Sequence, residues 1–426
     1  MRAGLPMVLA GTTVLVALPA LLPGGLLNAS IQMLIAALFA CAYSLLAGRA
    51  GMLSFGHAAY FGVGAFATVH AMNAVGGTGL LPTPLLPLAG AVAGLGVGLV
   101  AGWFATQRTG TTFAMITLAI AELLHALSPQ LKGWFGGESG VSAMRMPAWG
   151  LTFGSTTEVY YLTLVWVVAS VALLYFHTST PMGRLALALR ENGHRLRFLG
   201  YDVHGLGVAI FAISAMFSGI AGGLLVVSNE AANYVVFDPG QSASVVLNTF
   251  IGGVGSFMGP ALGAALMTFF SYAVSDLTRS WLLYQGVLFV LVMMFMPSGV
   301  AGLIAATGRL VGRHGYTAIA PVALLVVIAA ALLVAGSTFV IEILQHFFSQ
   351  DYRSLARMSG RESAISLFGH AWLPSAVSTW VWPAGLLVAG AALVVSARHR
   401  LAALGRDPGL DKPGASAQAD AGQGAS

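Results

Sequence analysis

The sequence predicts an all-α integral membrane protein: a polytopic helical bundle of about 10 core spans, two of them short or re-entrant, plus about 2 C-terminal spans. Three observations carry this. Of 426 residues, 57% are hydrophobic and only 8% are charged, against about 25% charged in soluble domains. The mean hydropathy is +0.84, so lipid must be the solvent over most of the surface. The apolar runs are about twenty residues long and do not alternate with period two. That excludes a closed barrel, the other architecture that satisfies its backbone in lipid.

In order, the core spans fall at 7–23, 27–47, 54–72, 84–104, 111–127, 159–176, 206–227 and 281–296, with two more at 322–341 and 377–397. The first carries no convincing small-residue cleavage site and reads as an uncleaved span. Between 242 and 275, the stretches 242–255 and 260–273 are apolar but short, joined by a glycine-rich link. They form either two short crossing helices or a re-entrant hairpin, and both preserve the parity of the remaining spans. Three regions follow: a transmembrane core over 1–305, a C-terminal extension over 306–404 and a disordered cytoplasmic tail over 405–426. In the extension, Arg353, Arg357 and Arg361 at i, i+4, i+8 suggest the polar stripe of an external amphipathic helix.

Charge placement sets orientation. With both termini inside, Arg49, Arg108, Arg184, Arg190, Arg195 and Arg197 are cytoplasmic, while Lys132 and Arg145 are external. The net charge of +5 is scattered between apolar runs, which fits loops at a charged membrane surface and not nucleic-acid binding. One cysteine, Cys41, permits no intrachain disulfide. Neither lysine, Lys132 or Lys412, follows a glycine, so there is no phosphate-binding loop of the G-x-x-x-x-G-K type. No H-E-x-x-H or G-x-S-x-G is present, and nothing supports covalent catalysis or a metal site.

The polar loop over 178–205 concentrates charge in a chain that otherwise avoids it. Pro181 suits a helix start and Gly200 a helix end. Several charges keep this segment out of lipid, so it lies across the cytoplasmic face, either as a topology loop or as a docking helix for a soluble partner. Around the third span, Ser54, Gly56, His57, Gly62 and Gly64 are candidates for the pathway or for close helix packing. Glu122 and His125 are i, i+3 neighbours and would be the first suspects in a proton-coupled carrier. The external stretches 132–147 and 229–240 present surface to an external partner.

Seven blocks, in order, carry a family resemblance: AYSLLAGRAGMLSFGHAAYFGVGAF, FAMITLAIAELLH, GGESGVSAM, MGRLALALRENGHRLRFLGYDV, FSGIAGGLLV, IGGVGSFMGPALGAAL and FMPSGVAGLI. Over about residues 27–304 the chain resembles the LivM-type permease subunits of branched-chain amino-acid ABC importers. The resemblance implies a heterodimer with a second permease subunit, two cytoplasmic ATPase subunits and a periplasmic substrate-binding protein, in the bacterial inner membrane. It implies no cofactor on this chain, with ATP and Mg used by the partner ATPases. It maps the ATPase-coupling segment onto Arg190, Glu191, Asn192, Arg195, Gly200 and Tyr201. Relatives carry urea or amides, which leaves a urea or amide importer as the alternative within transport. The region beyond Arg309 is not part of the resemblance.

Overall fold

The computed structural model describes residues 4–75, 81–275, 278, 280–296, 298–350, 352, 354, 365–367, 370–373 and 376–405. Arg353, Arg357, Arg361 and the tail beyond Gly405 lie outside the described residues. The chain divides into two compact units, Met1–Ile304 and Ala305–Ser426.

The first unit opens with α1 (Gly4–Leu21) and α2 (Gly24–Ser44), and α2 runs on into a π-helical turn, Leu45–Arg49. Then come α3 (His57–Val75), a 3-10 turn Thr83–Leu85, α4 (Pro87–Ala105), α5 (Gly110–Leu127) and the short α6 (Lys132–Phe135). Strand β1 (Val141–Ser142) precedes α7 (Thr156–Ser179), α8 (Pro181–Phe198) and α9 (Val203–Asn229). Strand β2 (Ala231–Ala232) and a 3-10 turn Tyr234–Phe237 lead into α10 (Pro239–Gly252), α11 (Gly259–Ser275), α12 (Trp281–Phe295) and α13 (Gly299–His314), whose first residues close the first unit and whose remainder belongs to the second. The second unit contains α14 (Tyr316–Phe348), the paired strands β3 (Ile365–Leu367) and β4 (His370–Trp372), and α15 (Val377–Gly405).

Among the described residues, seven helices are long and apolar enough to cross a membrane, or eight if the pair α12–α13, bent by 48°, is one broken span. Three of the apolar runs fall short of that length and hydropathy for physical reasons. Helix α3 carries His57, His70 and Asn73, which dilute its apolar character. Helices α10 and α11 have 14 and 17 residues, too few at about 1.5 Å each to cover a hydrocarbon core of about 30 Å upright. They fold back on one another as a hairpin. A Cβ on Gly252 would strike the carbonyl of Gly259, and one on Gly263 the carbonyl of Asn248. The strands β3 and β4 were not legible as apolar runs, because three residues each is too short a signal.

The core of the first unit is a three-helix seam of α3, α4 and α9. Helix α4 places Gly90, Gly94, Gly98 and Gly102 four residues apart, so they share one face. At Gly90 and Gly94 that face meets α9 backbone to backbone, while Gly98 and Gly102 receive the side chains of Ala215 and Phe211: a Cβ on Gly90 would hit the Gly219 carbonyl, and one on Gly94 would come within 3.1 Å of Gly219 Cα. Helix α3 joins through Gly64, whose missing Cβ faces the same Gly219. In lipid, apolar side chains gain little from burial against other helices, and close backbone approach supplies dispersion instead. Helix α9 is correspondingly enclosed, while α5 leaves most of its surface open.

Candidate functional site

The segment predicted to cross the cytoplasmic face forms α8, and its helix is broken. Thr180 caps the start by accepting from the Gly183 N–H at 3.2 Å, with Pro181 in the first turn, where its missing N–H is harmless. At Asn192 the backbone leaves the helical region (φ −161, ψ 94). The Asn192 Oδ1 then accepts from the Arg195 N–H at 3.0 Å. Asn192 is thus an N-cap for a second short helical piece. The segment ends at Gly200, φ +86, a left-handed position that favours glycine. The expected single short helix is therefore two pieces hinged at a residue named for another reason.

One arm of α8 is tied to the transmembrane body. The Arg190 guanidinium donates to the Gly48 carbonyl at 2.6 Å. The route is open only because residue 51 is glycine. Its φ is +69, and a Cβ there would lie 2.8 Å from Arg190 Cγ. Gly48 sits in the π-turn at the foot of α2, a geometry common where a helix must yield. It also packs on Val254, 3.1 Å from where its Cβ would be. Next to Val254, Gly253 (φ +105) lies against Ser298 and Gly299 at the break between α12 and α13. A contact chain thus runs from α8 through the foot of α2 and the α10–α11 link to the α12–α13 break.

The other arm of α8 is open. Glu191, Asn192 and Arg195 are exposed. Beside them stand Phe198 at 92% exposure, Leu199 at 67% and Tyr201 at 48%. Phe198 and Leu199 were missed in the sequence. The signal was an apolar pair, Phe-Leu, between Arg197 and the helix-ending Gly200, where a merely solvated loop would carry polar residues.

The residues around the third span come together at a buried polar knot. His57 Nε2 lies 2.9 Å from Ser214 Oγ, and Nδ1 lies 3.0 Å from Ser54 Oγ. Ser214 already donates its proton to the Ala42 carbonyl at 2.6 Å, so it must accept from His57. This assigns the proton to Nε2 and makes Nδ1 the acceptor from Ser54. Ser54 in turn accepts from the Gly56 N–H at 3.3 Å. Tyr43, Tyr60 and Phe211 enclose the ring, with centroids at 5.0, 5.5 and 5.8 Å. The knot ties α2, α3 and α9 together. Gly56 lies against the Thr117 carbonyl of α5, and Gly62 against the Phe237 ring. Ser54, Gly56, His57, Gly62 and Gly64 are all held in packed contacts.

Glu122 and His125 share α5 but are not joined by a hydrogen bond or ion pair among the described residues. Glu122 is exposed and His125 half-buried, with its ring 6.1 Å from that of Tyr234. The stretches 132–147 and 229–240, read separately in the sequence, are one feature. Strands β1 and β2 pair antiparallel, Val141 opposite Ala232. Arg145 Nε lies 3.2 Å from Glu230 Oε1, and its Nη1 donates to the carbonyls of Val227 and Ser228 at the end of α9. A cation at a helix C-terminus offsets the dipole there.

Residues 25–297 match the family described as branched-chain amino acid transport system / permease component. The chain is 26% identical to the high-affinity branched-chain amino acid transport system permease protein LivM of Salmonella typhimurium, over 67% of this chain and 72% of that protein. LivM of Escherichia coli (strain K12) gives the same figures. BraD of Pseudomonas aeruginosa, a permease protein of the same kind of system, is 24% identical over 62% of this chain and 91% of its own length. No solved structure matches. With its apolar helices and a match covering well over half its length, this multi-pass membrane chain belongs to the branched-chain amino acid transport system permease family.

Proposed function

We propose that the chain is the transmembrane permease subunit of an ABC importer for branched-chain or related small amino acids in the bacterial inner membrane. It works as one half of a heterodimer with a second permease. Two cytoplasmic ATPase subunits use ATP and Mg, and a periplasmic protein delivers substrate. This chain binds no cofactor and hydrolyses nothing itself. The observation that carries the reading is the construction of α8, anchored at Arg190 on one arm and open at Glu191, Arg195 and Phe198 on the other.

The mechanism follows from that construction. An ATPase pair closing on ATP moves the open arm. The pull reaches Gly48 through the Arg190 bond and so tilts the foot of α2. From there it passes to the hairpin link at Gly253–Val254 and the break at Gly299. These are the π-turn and positive-φ glycines, where backbone torsions change most easily. The α3–α4–α9 seam moves as a rigid piece, because its backbones already touch. An inward-facing pathway becomes outward-facing only if the two states differ in their contacts with the ATPases.

The test is reconstitution of the complex with Glu191→Gln, Arg195→Gln or Phe198→Ser. Normal assembly of the permease pair with loss of ATP-driven uptake supports the reading. Full uptake by all three variants contradicts it.

A further inference from the structure

A cavity of about 990 Å³ opens between the π-turn region, the α4–α5 loop, α8 and the start of α9. Arg108, Arg190, His194 and Arg197 line it, and no carboxylate does. Arg190 spends one nitrogen on Gly48, while Arg108 and Arg197 have no anionic partner among the described residues. The rest of the lining is mostly apolar. Helix α5 lines the cavity from Gly110 to Leu118, eight steps of about 1.5 Å, or about 12 Å along the helix. Met115 and Leu118 lie along that wall, and Met52 and Phe55 face it from the loop after α2. A basic cluster beside an apolar wall is complementary to an amphiphile with an anionic head.

We infer that this cavity is a binding site for an anionic phospholipid, with its phosphate at Arg108, His194 and Arg197 and its acyl chain along α5. A soluble protein docked on α8 would meet the basic cluster but would leave the apolar wall along α5 uncovered. A free phosphate would use the arginines and ignore Met115 and Leu118. Only a lipid uses both. Basic pockets between spans on the cytoplasmic side are a physically expected place for anionic headgroups, because that leaflet is negatively charged. The arginine fork suits phosphate oxygens in pairs.

The experiment is native mass spectrometry of the full-length chain, purified in detergent and titrated with short-chain phosphatidylglycerol, phosphatidylcholine of equal chain length, or inorganic phosphate. One phosphatidylglycerol per chain is expected, retained in preference to phosphatidylcholine and not displaced by inorganic phosphate. Arg108→Gln and Arg197→Gln should each weaken retention about tenfold. Arg184→Gln, which removes the same charge from α8 outside the cavity, should leave it unchanged. Leu118→Ser should weaken phosphatidylglycerol retention as well. Equal retention of both lipids, displacement by inorganic phosphate, or an equal effect of Arg184→Gln would overturn the assignment. Loss of the lipid when the ATPase subunits bind would also overturn it, because the cavity would then be part of the docking surface.

Discussion

Two helix seams in this protein use glycine in opposite ways. In the first unit, α3, α4 and α9 meet backbone to backbone, and Gly219 faces Gly64, Gly90 and Gly94 with nothing between. In the second unit, α14 and α15 meet side chain to gap. Gly336 receives Leu387, whose Cγ would lie 2.9 Å from an added Cβ, and Gly390 receives Leu333 at 2.7 Å, with the Ala329 carbonyl farther off at 3.2 Å. A leucine can rotate away, and a carbonyl in a helix cannot. The first seam therefore fixes the position of its helices, while the second tolerates variation. The family match ends at residue 297 and so covers only the first kind.

The largest effect that could break this comparison is at Gly219. Gly219→Val should destabilise the full chain by about 3 kcal/mol, the upper part of the overpacking range, read as loss of the monodisperse size-exclusion peak and a lowered thermal midpoint. An unchanged midpoint would show that the seam is looser than described. Next comes the knot beside the seam. Ser214→Ala removes both the acceptor for His57 Nε2 and the donor to Ala42, and should cost about 1–3 kcal/mol on the same thermal assay. Arg190→Gln should leave the fold intact but lower ATP-driven uptake about tenfold, because a charge-assisted bond linking α8 to the body is lost. Gly336→Ala in the second unit should cost less than about 1 kcal/mol, since only side chains must move. The smallest effect is at Glu122. Glu122→Gln should not alter the pH dependence of uptake in proteoliposomes, and a flattened profile would revive a proton-coupled role for the Glu122–His125 pair.

What the sequence made legible follows from signal length. Long apolar runs announced the helices, and Gly56, Gly62 and Gly64 around the third span announced close packing. Pro181 and Gly200 framed α8 correctly because both act locally. The break at Asn192 was hidden, since an asparagine inside a helix and an asparagine capping one look alike in a string. The His57 knot was hidden for another reason: its partner Ser214 is 157 positions away, and no local pattern records that distance. His57 could only be recognised as needing a polar partner, not given one. The zipping of β1 to β2 was equally invisible, because two-residue strands carry no periodicity. Glu122 and His125 looked like a pair by spacing alone, yet neither reaches the other.

The most direct test of the central claim, that this chain is a passive gate moved through α8 by other subunits' ATP hydrolysis, is substrate uptake in proteoliposomes made with and without the ATPase subunits. Accumulation is expected only with the second permease, the ATPases, the binding protein and ATP all present, and it should be abolished by Arg195→Gln. Accumulation by this chain and its permease partner alone, under a proton gradient without ATP, would contradict it.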